Sequence, residues 1–333
     1  MKSKVIALFL ISVLAFCMFG CSKKSIEIKD ADFCGTFFVV DLKCDKDNSD
    51  KCLTEIKEEA KRLESVFSVS EPNSEISLFN KTSFGDTFLA SVDFYSCLSY
   101  AREIYIASSG DFNPAMLPVS ELWGFAPTSN GDYKVPSYME IQFALTAVDF
   151  SKISFNEYNH SLVKETNLKI DLGGIAKGYI VDKLATIANR YNASGLINLG
   201  GNIYSFGNSK IGIADPASPN DYMAIIEIEN TSICTSGNYE RYFIEDGVRY
   251  HHIFAKDGYP ADNGLQSVTV IGDNSALCDA ISTAVFIGGA ASAENYSNNY
   301  NVSIVLITSE NKVITYGNLS SFKITNSKYK AQQ

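Results

Sequence analysis

The stretch "KIDLGGIAKGYIVDKLA", Lys169 to Ala185, constrains the fold of this 333-residue chain more than any other segment. An apolar run ends in an acid, two glycines follow, and apolar residues then recur at helical spacing. The chain must therefore pass from an extended segment into a helix within a few residues. The spacing predicts the end of a strand over Lys169–Leu172 and a helix beginning at Ile175. Glycines at such a junction let a ligand or a second backbone approach closely, and the unpaired amides of the helix favour an anion. Lys177 could reach toward that anion, and Asp171 could accept hydrogen bonds from a sugar or heterocycle. The same residues would equally serve close packing of helix on strand with a solvated lysine. Neither GxxxxGK(S/T) nor GxGxxG occurs, so the common nucleotide-loop signatures are absent.

An anion site in this chain has to be local. The formal net charge is -10, the wrong sign for holding a nucleic-acid backbone, so no nucleic-acid partner is expected. Phosphates would be bound through a divalent cation. With 46% hydrophobic and 20% charged residues the composition is globular, and the length suits one large domain or two ordinary ones. Residues 1–20 read as a leader: Lys2 and Lys4 precede the uncharged apolar run Val5–Phe19, shorter than the roughly 20 residues of a spanning helix. Gly20–Cys21 closes that run as in a bacterial lipoprotein signal, which predicts lipidation of Cys21 and a chain exported and lipid-anchored to a membrane facing the periplasm. Residues 21–32 read as a polar tether. The cysteines of the mature chain form no CxxC pair and only three histidines are present, so a zinc site is not expected.

Beyond the tether, "GTFFVVDLKC" reads as a strand. "NSDKCLTEIKEEAKRLESVFS" and "SVDFYSCLSYAREIYIASSG" read as helices, and Pro interrupts "DFNPAMLPVSELWGF". "SYMEIQFALTAV" is a further short helix, and "LVKETNLKIDLG" suggests strands. Short β-type runs follow, "GLINLGGNIYSFG", "KIGIADP" and "MAIIEIENTSICTSG". "QSVTVIG" and "VSIVLIT" then flank the helical "SALCDAISTAVFIGG". No repeat or low-complexity linker divides the chain, which reads as one mixed α/β unit, with room for two lobes.

Two further groups could carry chemistry. Asp279 and Thr283 share a helix face, and with Ser282 nearby they offer hard oxygen ligands suited to Mg²⁺. The alternative is a capping aspartate and a threonine bonded to its own helix. His251 and His252 are adjacent, so in a strand only one can face a given site, where a neutral imidazole could take a proton from an attacking hydroxyl.

Taken in order, these segments resemble the ApbE family, the FAD:protein FMN transferases. "CGTFFVV", "FSVSEPNSEISLFN", "GDFNPAMLPVSELWGF", "DLGGIAKGYIVDKLA", "NLGGNIYSFG", "TSGNYERYF", "HHIFAKDGYP" and "SVTVIGDNSALCDAISTAVF" follow the family's sequence of motifs from about Phe33 to Gly289. The resemblance implies mixed, largely antiparallel sheets packed with helices in one catalytic unit over 33–325. It also implies FAD bound with Mg²⁺ and transfer of the FMN half to a threonine hydroxyl, releasing AMP. The implied acceptors are flavoprotein subunits of membrane electron-transport complexes. Asp279, Ser282, Thr283 and the carbonyl of Gly174 fall on its metal positions. Cys34, Ser70, Phe112, Asn113, Pro114, Asp171, Lys177 and Ile253 fall on flavin-nucleotide contacts, and His252 on the base for the incoming hydroxyl. Four departures are visible: Cys34 replaces the usual Met, Ser70 the usual Tyr, Asn113 the usual Asp, and "FAKDG" the commoner loop after the histidines. A Mg²⁺-dependent FAD pyrophosphatase and a non-catalytic flavin-binding lipoprotein are the alternatives.

Overall fold

The computed structural model describes residues 23–33 and 35–332. The leader, Cys21 and Cys34 fall outside the described residues. Nine strands form one sheet in which spatial order follows chain order. They are β1 (Lys23–Phe33), β2 (Thr36–Asp45), β3 (Ser194–Leu199), β4 (Asn202–Phe206) and β5 (Ser232–Gly237). β6 (Leu265–Gly272), β7 (Ser303–Thr308), β8 (Lys312–Tyr316) and β9 (Lys330–Ala331) complete it. All neighbours are antiparallel except β8 and β9. The architecture is thus mixed α/β with largely antiparallel sheets, as expected.

The strand pattern shows why both faces are covered. In β7, "SIVLIT", Ile304 and Leu306 point into the main core while Val305 and Ile307 point into a second one. An uninterrupted apolar run is what a strand buried on both faces requires. The main core lies under α1 (Ser49–Phe67), α2 (Val92–Ala107), α3 (Ala176–Arg190), α4 (Ser275–Gly288) and α5 (Ala290–Tyr300). The second lies under a small sheet of Asn208–Asp215, Ser218–Glu229 and Lys323–Ile324. A third cluster surrounds the buried Trp123 and includes Phe125, Ile141 and Phe254, with Phe243 and Tyr250 from the hairpin of Tyr242–Glu245 and Val248–His251. Among the described residues no helix is long and apolar enough to cross a membrane.

Three expectations change. From Lys23 onward the segment expected as a tether is β1, paired with β2 from Lys23↔Asp45 to Asp30↔Phe38. Its charged residues alternate with Ile26, which is buried, and Ile28, giving an edge strand with a charged outer side that resembles a polar linker in composition. At the other end β9 joins the sheet, so the folded unit covers 23–331 rather than 33–325. Finally, Lys169–Leu172, expected as the end of a strand, joins no ladder. The side chain of Asn80 takes the place of a neighbouring strand there, donating to the Ile170 carbonyl at 2.9 Å and accepting from its N–H at 2.8 Å.

Candidate functional site

The glycine corner is built where α3 begins. Asp171 donates its backbone N–H to the Pro114 carbonyl at 2.8 Å, tying the Phe112–Pro114 segment to the corner. Its carboxylate accepts the Gly173 N–H at 2.9 Å, a local turn that aspartate favours. A Cβ on Gly174 would stand 3.1 Å from the Phe112 ring and 3.5 Å from Thr283 Oγ1, so the corner touches α4 through this glycine. The helices behind it approach even more closely. A Cβ on Gly178 would lie 2.2 Å from the Ser275 carbonyl oxygen, which only glycine permits.

This contact brings Asp279 to the corner. It is 2% exposed, and its Oδ2 accepts the Gly178 N–H at 3.1 Å and lies 3.7 Å from Lys177 Nζ. Lys177 also donates to the Gly173 carbonyl at 2.6 Å. One turn on, Ser282 and Thr283 meet Ser236 of β5, with Oγ–Oγ distances of 2.7 and 3.0 Å. Both also lie close enough to donate to the Asp279 carbonyl, Ser282 at 2.8 Å and Thr283 at 3.4 Å. Three hydroxyls therefore meet beside the Gly174 backbone, with the Asp279 carboxylate one helical turn earlier on the same helix, and all of them offer hard oxygen donors. Among the described residues no group of three or more His, Cys, Asp or Glu side chains is arranged to hold a metal, so any cation here would rest on this mixed oxygen set.

His252 is half-buried just past the hairpin. Its Nδ1 lies 3.2 Å from the Arg241 carbonyl, and its backbone N–H donates to the same oxygen at 3.2 Å. A carbonyl only accepts, so Nδ1 carries the proton and Nε2 is the ring's acceptor nitrogen. Loss of surrounding water lowers the imidazole pKa well below its ordinary value, and the charges of Arg241 and Lys177 act in the same direction. The Arg241 guanidinium is itself held by the Phe125 carbonyl. His251 is the packed member of the pair, with Nε2 3.1 Å from the Ala261 carbonyl and its ring edge-on to Phe286.

The other expected positions are spread more widely. Phe112 and Pro114 are buried beside the corner. Asn113 turns away, donating to the Val148 carbonyl at 2.7 Å, and lines a cavity of about 400 Å³ with Asp111, Met116, Phe254 and Lys256. Ile253 is packed in the main core next to His252. Ser70 is exposed in the turn after α1, and the contacts that assemble the corner do not include it. Ser236 is the residue that sequence reasoning missed. Alternation along β5 could have revealed it, since Cys234 on the same face is also buried under α4.

The ApbE family profile matches residues 34–306. The chain belongs to the ApbE family. A FAD:protein FMN transferase of Klebsiella pneumoniae is 32% identical over 232 residues, 68% of this chain and 72% of that one. Another, from Treponema pallidum, is 30% identical over 251 residues, 68% of each chain. The crystal structure of the ApbE protein of Thermotoga maritima superposes with a TM-score of 0.79 at 31% identity, covering 86% of this chain and 94% of that one. The apo flavinyl transferase ApbE of Pseudomonas stutzeri shares the fold, with a TM-score of 0.77 at 23% identity over 90% of this chain and 96% of that one.

Proposed function

We propose that this ApbE-family chain is an FAD:protein FMN transferase that moves FMN from FAD to a threonine hydroxyl of a target flavoprotein and releases AMP. The observation that carries the reading is the cluster of Ser236, Ser282 and Thr283 hydroxyls, with Thr283 against Gly174 and Asp279 against Gly178, inside a family whose named relatives are FAD:protein FMN transferases. The acceptor oxygen bonds to the phosphorus of the FMN half, the bond from that phosphorus to the bridging oxygen breaks, and AMP leaves with the bridging oxygen. His252 Nε2 takes the hydroxyl proton, a role open to a neutral ring whose other nitrogen is already committed to Arg241. Lys177, near Asp279, faces the entering phosphates with a positive charge.

The donor set fits Mg²⁺: Asp279, Thr283, Ser282 and the Gly174 carbonyl would hold it, all through oxygen. When bound, the ion supplies positive charge to the pyrophosphate and to the departing phosphate. The leader motif supports export and lipidation at Cys21, and that placement suits acceptors among the flavoprotein subunits of membrane electron-transport complexes.

The test mixes the protein with FAD, Mg²⁺ and a candidate acceptor. The reading predicts covalently bound fluorescent flavin on a denaturing gel and one AMP released for each flavin attached. AMP without labelled acceptor would replace transfer by hydrolysis to FMN and AMP, and FAD binding with no AMP would leave only a flavin-binding protein.

A further inference from the structure

We propose that Asp182, on α3, is a positioning residue that locks the oxygen-bearing face of α4 against the glycine corner, and so sets the affinity of that corner for a divalent cation. The inference rests on the function proposed above. Asp182 Oδ1 accepts the Ser275 N–H at 2.9 Å and Oδ2 accepts the Ala276 N–H at 3.0 Å. These amides open α4 and have no partner within the helix. The helix already has a cap from its own chain, because Asn274 accepts the Leu277 N–H at 2.8 Å. Asp182 does something a local cap cannot: it ties α4 to a different helix.

A second tie runs the opposite way. The Gly178 N–H of α3 donates to Asp279 Oδ2, one turn into α4, at 3.1 Å. Side chain of α3 to backbone of α4, and backbone of α3 to side chain of α4, are thus joined at two levels along both helices. Between the two levels the Gly178–Ser275 contact brings the helices together more closely than a Cβ would allow. Two ties and a close contact fix both the slide and the rotation of α4. The positions of Asp279 and Thr283 relative to Gly174 depend on those two variables. Asp182 does this at an electrostatic cost, since burial raises its carboxyl to about 6 even though both amide hydrogen bonds pull the other way.

The experiment compares wild type, Asp182→Ala, Asp182→Asn and Asn274→Ala. Mn²⁺ is titrated into FAD-loaded protein and free Mn²⁺ is followed by its EPR signal, with a melting curve for each variant. Loss of a group that hydrogen-bonds a metal ligand commonly weakens binding by about 10- to 100-fold. Asp182 bonds the helix that carries the ligands and not a ligand itself, so the low end, about 10-fold, is the expected size. Asp182→Ala is expected to raise half-saturating Mn²⁺ by about that factor, and Asp182→Asn by less, because it keeps one acceptor oxygen. Asn274→Ala should lower the melting temperature and leave Mn²⁺ binding unchanged. Should Asp182→Ala not fold, Asp182→Asn decides by the same comparison. Wild-type half-saturation in the Asp182 variants, or an equal shift in Asn274→Ala, would overturn the positioning role. Wild type that takes up no Mn²⁺ beside FAD would instead overturn the function on which it rests, together with this inference.

Discussion

His252 is oriented by a single carbonyl, that of Arg241, which receives both its ring Nδ1–H and its backbone N–H. Because desolvation, Arg241 and Lys177 all lower its pKa, the imidazole is already neutral at physiological pH. The rate of transfer should therefore show no imidazole limb between about pH 6 and 8, where an unperturbed histidine titrates. A rate-against-pH series with saturating FAD checks this, and a clear inflection near 6.5 that disappears in His252→Gln would contradict it. His252→Ala should slow transfer by about 10²- to 10⁴-fold while FAD still binds. Asp279→Asn separates charge from packing. The amide oxygen can keep the Gly178 hydrogen bond, so melting should change little, whereas Mg²⁺-dependent AMP release should be lost. Retention of most activity would remove Asp279 from the cation site. Of the residues at the corner, Asp279 and Thr283 were legible because spacing on one helix is local information. Ser236 was not, because its partnership depends on how a strand registers beneath that helix.

At the scale of elements, α3 and α4 bring the candidate site's residues together, and what precedes α3 is held by a side chain instead of a strand. Periodicity made the helices readable, and alternation or continuous apolar runs made β2, β6 and β7 readable. The run Lys169–Leu172 has the same apolar character, so nothing local distinguishes it from a ladder strand. The difference lies in Asn80, far away in sequence, which pairs with both polar groups of the fully buried Ile170. β1 misled in the opposite direction, since an edge strand needs apolar residues on one side only. Asn80→Ala should leave two backbone groups unpaired. A buried group without a partner costs about 1–3 kcal/mol, so urea denaturation should show a loss of at least that size. Activity should fall as well, because the corner continues directly from Ile170. Unchanged stability would mean that water or another group replaces Asn80.

For the molecule as a whole, the sheet acts as a partition. Helices and the corner lie over one face and a small sheet covers the other, so residues reach the site from β5, α3 and α4 through one core. The fold class was legible from the order of many short motifs, while the small sheet on the far side and the satellite core around Trp123 depend on long-range packing that no single segment encodes. On the function proposed above, a chain with net charge -10 that takes a pyrophosphate would need a concentrated positive charge at one place, and the oxygen corner is the proposed seat of that ion. The most direct measurement is an anomalous-difference map from crystals grown with FAD and Mn²⁺. A single strong peak at about 2.0–2.3 Å from the Asp279 carboxylate, Thr283 Oγ1 and the Gly174 carbonyl, touching the FAD pyrophosphate, is the predicted result. Ordered FAD with no peak at that corner, or with the ion held elsewhere, would contradict it.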